Sequence, residues 1–483
     1  MTNDDAPSPT GLSTEHRAAL DAALSHVAAA ADSYAADLAD FVTVPSVSTV
    51  AEHRADIDAA AAWVAARLRR AGLDDVLTLP TAGHPVVVGR LTVSPDARTV
   101  IIYGHYDVQP PEPLELWDSP PFEPEVRGDK LYGRGACDDK AGVLIAIQAV
   151  EAYLKSGSKP PVNVTFLIEG EEEIGSPNLQ RFISDNTELL KADLAISADG
   201  GIYAPGVPSV TVGSRGLAGA QLKVTGANAD LHSGMYGGAV ANPLMALSRI
   251  LASMQDPDGR VLVDGFYDGI PPLDAGVREQ LEAVPDDDSG DLHKLGLRQW
   301  WGDPAYTARE RRNVRPTLEV NGMWGGFQGA GIKTVLPREA YAKITCRLVV
   351  GQDPQDILEK LRRHVEKVTP PGVEVGFEPL PGSGWAYQMP VDHAALAVAS
   401  DSLEAVYGRP AFPVWTGGTV PVAEQFQRLL GVWCLYFAFG EPDTNIHAPN
   451  EFFRVPSIRL GTEATVRLLT GLAANQAAFE PPA

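Results

Sequence analysis

The sequence predicts an α/β protein: a central mixed sheet with flanking helices, interrupted by an inserted α+β domain. Apolar, β-branched runs of strand length at 86–91, 99–103 and 162–168 enclose a helical periodicity at 142–154. Strand, loop, helix and strand in that order build a sheet with right-handed crossovers. From about residue 217 the pattern changes, and after Gly384 a helix and a strand resume the first one.

Residues 16–35 and 51–71 read as helices. In the second, Ala60, Ala61, Val64, Ala65 and Leu68 recur at helical spacing, and Gly72 follows as a stop. A strand at 194–197 ends just before Asp199. In the middle region, 218–224 alternates like a strand with one solvated face. Residues 241–254 form an apolar helix with Asn242-Pro243 in its first turn. A strand at 340–349, a helix at 354–367 and a strand at 373–377 complete a small α+β unit. The stretch 287–316 is polar and irregular, as surface segments are. A helix at 394–407 and a strand at 433–439 belong to the first pattern again. The expected division is therefore 1–216 and 386–483 for one catalytic domain, with 217–385 inserted into it.

At 483 residues the chain exceeds what one hydrophobic core organises. With 45% hydrophobic residues it is globular rather than disordered. Its 39 Lys and Arg against 62 Asp and Glu leave a formal charge of -23, which disfavours a nucleic-acid partner. Cys137, Cys346 and Cys434 share no short spacing, so they suit a reducing compartment and build no four-thiolate zinc site. The opening MTNDDAPSPTG lacks the basic and apolar regions of a secretory signal, and apolar stretches are broken by Asp, Gly and Pro. A cytoplasmic protein with no membrane partner is expected.

Buried runs in this pattern lead into ligand-type side chains. His105 and Asp107 follow 99–103 in GHYDVQP, Glu172 and Glu173 follow 162–168 in FLIEGEEEIGS, and Asp199 follows 194–197. In open α/β sheets, ligands bind beyond the carboxyl ends of the strands. YGRGACDDKAG adds Asp138 and Asp139 before a helix, and NIHAPNE adds His447 beyond the last strand. Imidazoles and carboxylates are zinc donors, and buried carboxylates without a cation repel one another at great cost. Two divalent ions roughly 3.5–4 Å apart can share one carboxylate and activate a water between them. Glu172 and Glu173 point in different directions, so one can bind metal while its neighbour serves as a base. Taken singly, Asp138 and Asp139 also fit an acidic helix cap beside Lys140, and Asp199 a turn. His232, in DLHSGMYGG, is flanked by small residues that let a ligand approach. GRGACDDK lacks the spacing and ending of a phosphate loop.

In order from about residue 40 to 470, GHYDVQP, LYGRGACDDKAG, EGEEEIGS, ISADG, DLHSGMYGG, KTVLP, RLVVGQDP, GGTVPV and HAPNE resemble one family. It is the co-catalytic zinc metallopeptidases of the M20 type, which include cytosolic nonspecific dipeptidase, carnosinase and bacterial dipeptidases. The resemblance implies a zinc exopeptidase-like fold and a metal-dependent dipeptidase. Its substrates would be dipeptides or short peptides with a free C-terminal carboxylate, and a metal-bridged hydroxide would be the nucleophile. An N-acyl-amino-acid amidohydrolase of the same metal chemistry is the alternative. Two divalent ions per subunit are implied, zinc first, with manganese or cobalt also admitted by the donors. By this likeness His105 and Asp199 bind the first ion, Glu173 and His447 the second, and Asp138 bridges them. Asp107 orients His105, Asp139 supports the loop, and Glu172 is the general base. The inserted domain would be a lid and dimerisation domain of a homodimer, its His232 stabilising the oxyanion. Arg347 would hold the substrate's α-carboxylate, with Gly418, Thr419 and Asn321 as further substrate contacts. Two positions depart from the family pattern. Trp415-Thr416-Gly417-Gly418-Thr419 stands where Arg-x-Gly-Gly-Ser is frequent, and Asn321 where the animal dipeptidases have a histidine.

Overall fold

The computed structural model describes residues 12–284 and 288–482. The N-terminal stretch 1–11 and residue 287, which heads the irregular region, lie outside the described residues. The chain forms two compact units. The first runs to Val212 and includes Met389–Val414 and Val422–Ala483. The second comprises Gly213–Gln388 and Trp415–Pro421. The heptapeptide Trp415–Pro421 thus packs with the inserted unit, although its place in the chain lies within the expected stretch 386–483.

The first unit is built on a mixed sheet. Its strands include β1 (Asp75–Leu79), β2 (Val86–Leu91), β3 (Thr99–His105), β4 (Asn163–Glu169) and β5 (Leu194–Ser197), in the spatial order β1-β2-β4-β3-β5. The strand Cys434–Tyr436 adds beyond β5 and Ser209–Ser214 beyond that. β4, β3, β5 and Cys434–Tyr436 are mutually parallel, while β1 and β2 are antiparallel additions at one edge. Helices α1 (Thr14–Val42), α2 (Arg54–Ala71) and α3 (Gly142–Lys155) flank the sheet with Ala394–Tyr407 and Val455–Ala474. α3 is apolar on nearly every side and is buried along most of its length, as a helix between layers must be.

Differences from the sequence reading have local causes. α1 begins at an Ser13 cap and runs on past residue 35, because Leu38, Phe41 and Val42 continue its buried face. β3 extends to His105 because its parallel ladder with β4 continues as far as the pairing of His105 with Glu169. The strand expected at 433–439 is only Cys434–Tyr436. The 20-residue helix Val455–Ala474 has no counterpart in that reading.

The second unit has its own four-stranded antiparallel sheet, ordered Thr317–Gly325, Glu339–Leu348, Gly216–Thr225, Glu374–Pro379. One face carries Ala220, Leu222, Val224, Ala342 and Ile344 into a core shared with the helices Pro243–Ala252 and Pro354–Val368. Asn242 caps the first of these helices, with Pro243 in its first turn. The region 287–316 contains the short helices Asp288–Lys294 and Ala308–Asn313. Among the described residues no helix is long and apolar enough to cross a membrane.

Candidate metal centre

The parallel strands deliver the reactive side chains to one sheet edge. β3 ends on His105, β4 leads into Glu172 and Glu173, and β5 stops two residues before Asp199. Asp138 and Asp139 lie in the irregular turn Ala136–Ala141 that opens α3, where both leave helical backbone angles. His447 comes from the loop after Cys434–Tyr436 and holds a left-handed backbone, φ 59°. For a non-glycine residue that conformation costs of order 1–3 kcal/mol and is kept where surroundings enforce it.

Asp138 is the hub. His105 Nε2 lies 3.0 Å from one of its carboxylate oxygens and His447 Nε2 lies 3.0 Å from the other. His447 Nε2 is also 3.1 Å from a Glu173 oxygen. Two donor groups result, His105–Asp138–Asp199 and Asp138–Glu173–His447, the ligating atoms within each lying within 4.8 Å of one another. They share Asp138. One carboxylate offering a separate oxygen to each of two imidazoles is the donor arrangement that a pair of divalent cations requires.

The electrostatics agree with that donor set. Burial opposes protonation of His105, yet its hydrogen bonds to Asp107 and Asp138 outweigh this and raise its proton affinity well above the ordinary value. Hydrogen bonds to Asp138 and Glu173 push His447 up to about 10. Asp199 is raised to about 7, by burial first and then by the Asp138 charge. Burial also lifts Glu172 well above the usual carboxylate range. Crowding raises the proton affinity of Glu172 and Asp199, and cations would relieve the same repulsion.

Asp107 is fully buried and its side chain binds no other part of the cluster idly. Its carboxylate lies 3.4 Å from His105 Nδ1 and accepts the backbone N–H groups of Glu172 (3.2 Å) and Glu173 (3.1 Å). It therefore ties the imidazole to the glutamate turn. Asp139 accepts the His105 N–H at 3.2 Å. Asp193, at the other end of β5, is engaged by Arg98 and the Thr99 N–H.

Sequence reasoning missed two supports. Gln109 donates to the Glu173 carboxylate at 2.8 Å. Glu451 accepts the N–H groups of Gly135 (2.8 Å), Cys137 (2.8 Å) and Asp138 (3.1 Å), and forms a buried ion pair with Arg134 at 2.7 Å. Glu451 stands four residues after His447 in the same quoted motif, so a carboxylate there was the available signal.

The remaining expected residues belong to the inserted unit. His232 is exposed, its Nδ1 accepting the Gly234 N–H at 3.0 Å. Arg347 donates to Thr419 Oγ1 at 2.7 Å, and the Gly418 carbonyl accepts the Arg215 N–H at 3.0 Å. Asn321 sits at an irregularity of the edge strand, where the register shifts between Val320 and Gly322.

Comparison with known proteins agrees with this geometry. The sequence pattern of "Peptidase family M20/M25/M40" matches residues 101–471. The chain is 31% identical over 380 residues to the Cys-Gly metallodipeptidase dug1 of Schizosaccharomyces pombe, covering 76% of this chain and 78% of that protein. Among solved structures it resembles the M20 family metallo-carboxypeptidase Sso-CP2 from Sulfolobus solfataricus (TM-score 0.81, 31% identity), over 91% of this chain and 99% of that one. It also resembles human carnosine dipeptidase 1 (TM-score 0.77, 26% identity), over 94% and 98%.

Proposed function

We propose that this chain, which belongs to peptidase family M20/M25/M40, removes the last residue of dipeptides and short peptides that end in a free carboxylate. The carrying observation is the Asp138 carboxylate held between His105 and His447, with Glu172 beside it. The named activities of the relatives, a dipeptidase and a metallo-carboxypeptidase, both act at a free C-terminus and support the reading.

His105, Asp138 and Asp199 would hold one divalent cation, and Asp138, Glu173 and His447 the other, zinc suiting the mixed nitrogen and oxygen donors. Such cations supply Lewis acidity that lowers the pKa of water and polarises a carbonyl. Glu172 takes the proton of the attacking water and passes it to the leaving amine, its raised proton affinity matching both halves of that task. The Asp107 backbone carbonyl, 3.1 Å from His105 Nδ1, with its carboxylate at 3.4 Å, keeps His105 in the tautomer whose Nε2 is free to ligate. His232 donates to the developing oxyanion, and Arg347 grips the substrate carboxylate through a two-pronged contact. The exposed Val320, Met323 and Trp324 on an edge strand of the inserted unit support a homodimer through that unit, to be read by light scattering.

The decisive experiment is a turnover panel on metal-loaded protein. Free dipeptides should be cleaved at least about tenfold faster than their C-terminal amides, the loss expected when one charged contact is removed. Faster turnover of N-acyl amino acids than of any dipeptide would replace this reading with an amidohydrolase.

A further inference from the structure

The inserted unit's sheet buries one face and carries a cluster of cations on the other. Arg347 pairs in register with Leu217 on one neighbouring strand and Thr317 on the other. Arg215, two residues before Leu217, falls on the diagonal from Arg347. Diagonal neighbours stand roughly 7–8 Å apart at the backbone, so two such long side chains can converge. Both line a cavity of about 400 Å³ whose other wall comes from the segment around Trp300, Tyr306 and Arg315.

Among the described residues, none of Arg215, Arg315 and Arg347 forms an ion pair with a carboxylate. Arg347 donates to Thr419, while Arg215 donates through Nε to the Gly417 carbonyl at 3.0 Å and through Nη1 to the Arg311 and Arg315 carbonyls at 3.4 Å, so that Nη2 is the donor left for a ligand. Arg315 lies 4.2 Å from the Tyr306 ring centroid and 5.8 Å from that of Tyr267. A guanidinium held by its flat faces leaves its N–H edges free to donate. Arg215 is depressed to about 10, by burial first and then by the charge of Arg347. The cavity's carboxylates, Asp303 and Glu319, are outnumbered, in a chain whose net charge is -23. Glu319 faces Arg215 electrostatically without reaching ion-pair distance, so these partly buried cations are only partly neutralised, a deficit that an anionic ligand would make good.

We propose that this cavity selects peptides whose C-terminal residue is glutamate or aspartate. Arg347 takes the α-carboxylate, and Arg215 with Arg315 takes the side-chain carboxylate. The proposal rests on the preceding reading of Arg347. A neutral C-terminal side chain would leave the charge of the second guanidinium without a close anion, whereas two carboxylates joined by a short carbon chain meet both charges. Gly417 admits Arg215 to this position, since a Cβ there would stand 3.1 Å from its Nη2.

The test compares kcat/KM for Ala-Glu and Ala-Asp with Ala-Gln and Ala-Asn on the metal-loaded full chain. A preference of roughly 10–100-fold for the acidic partner of each pair is expected, the scale of one charge-assisted hydrogen-bonded contact. Arg215→Gln should collapse the Glu/Gln ratio towards one, with Arg215→Lys keeping part of it. Arg315→Gln is the second variant should Arg215→Gln fail to fold. Turnover of dipeptides with no acidic preference would overturn this inference and spare the dipeptidase reading. Should no dipeptide be cleaved, the dipeptidase reading falls, and calorimetry with free L-glutamate, L-glutamine and inorganic phosphate decides the cavity's ligand. Glutamate binding at least tenfold tighter than glutamine, and lost in Arg215→Gln, would sustain the dicarboxylate site. Equal binding of glutamate and glutamine, or phosphate binding as tight as glutamate, would overturn it.

Discussion

Asp138 and Glu172 stand close together, and under the proposed reading they would divide the chemistry. Asp138 meets two imidazoles through two oxygens. Removing its charge in Asp138→Asn leaves each donor group one anionic ligand short, so both cations should be lost together. Metal analysis of the folded variant should find well under one ion per chain, and two retained ions would refute the bridge. Among the described residues no hydrogen bond from the Glu172 side chain holds it to the donor groups, while its backbone N–H meets Asp107. Glu172→Gln should therefore keep both ions and lose about 10²–10⁴-fold in kcat, the range of general acid–base catalysis. The gathering of these acids was partly legible in the sequence, because a strand that hands adjacent acids to the sheet edge has few structural uses for them. The separation of Asp138 from Asp139 was not legible from the residues alone and came only through the family resemblance. Two adjacent aspartates differ only through the backbone angles of a turn whose geometry is set by tertiary contacts, and Asp139 turns inward to the His105 N–H.

At the scale of elements, the turn before α3 is held from a distance by one side chain. The Glu451 carboxylate answers the N–H groups of Gly135, Cys137 and Asp138 and the Arg134 guanidinium, with both members of the pair buried. Glu451→Ala strands those donors and an unpaired cation inside the protein. Breaking a buried pair from one side costs about 3–5 kcal/mol, so chemical unfolding should register a loss of that size. The double variant Arg134→Met/Glu451→Met should lose less than the sum of its single changes. Strict additivity would mean the two groups act independently. α3 itself starts at Gly142 because a Cβ there would run into the Asp139 carboxylate and the Ala198 carbonyl. The strands and α3 were legible from periodicity, since one-sided or complete burial imprints itself on the sequence. The Glu451 anchor left no periodic trace. It works through backbone donors in a loop far away along the chain, a relation that only the folded topology creates.

At the scale of the whole molecule, the donor groups and the hydrophobic cores are distributed unequally. Every residue of the two donor groups belongs to the first unit, while the inserted unit closes its own core between a four-stranded sheet and two helices. The interruption was legible because the strand pattern changes and then returns. The cationic cavity was not, because its wall comes from 287–316, where polar composition and lack of period conceal a specific arrangement of arginines on aromatic rings. The unequal distribution has a thermodynamic consequence. A ligand that binds only the folded state adds about 2.7 kcal/mol at one hundred times its dissociation constant. Stripping the cations with a chelator should then lower the first unit's melting transition by roughly 4 °C for each ion held at that excess. The inserted unit, which contributes no donor among the described residues, should melt where it did before. Scanning calorimetry of the full chain, with the second transition assigned by the isolated segment 213–388, separates the two. If chelation moved both transitions equally, folding of the inserted unit would depend on the metal centre, and its core would not be the self-sufficient one that its packing describes.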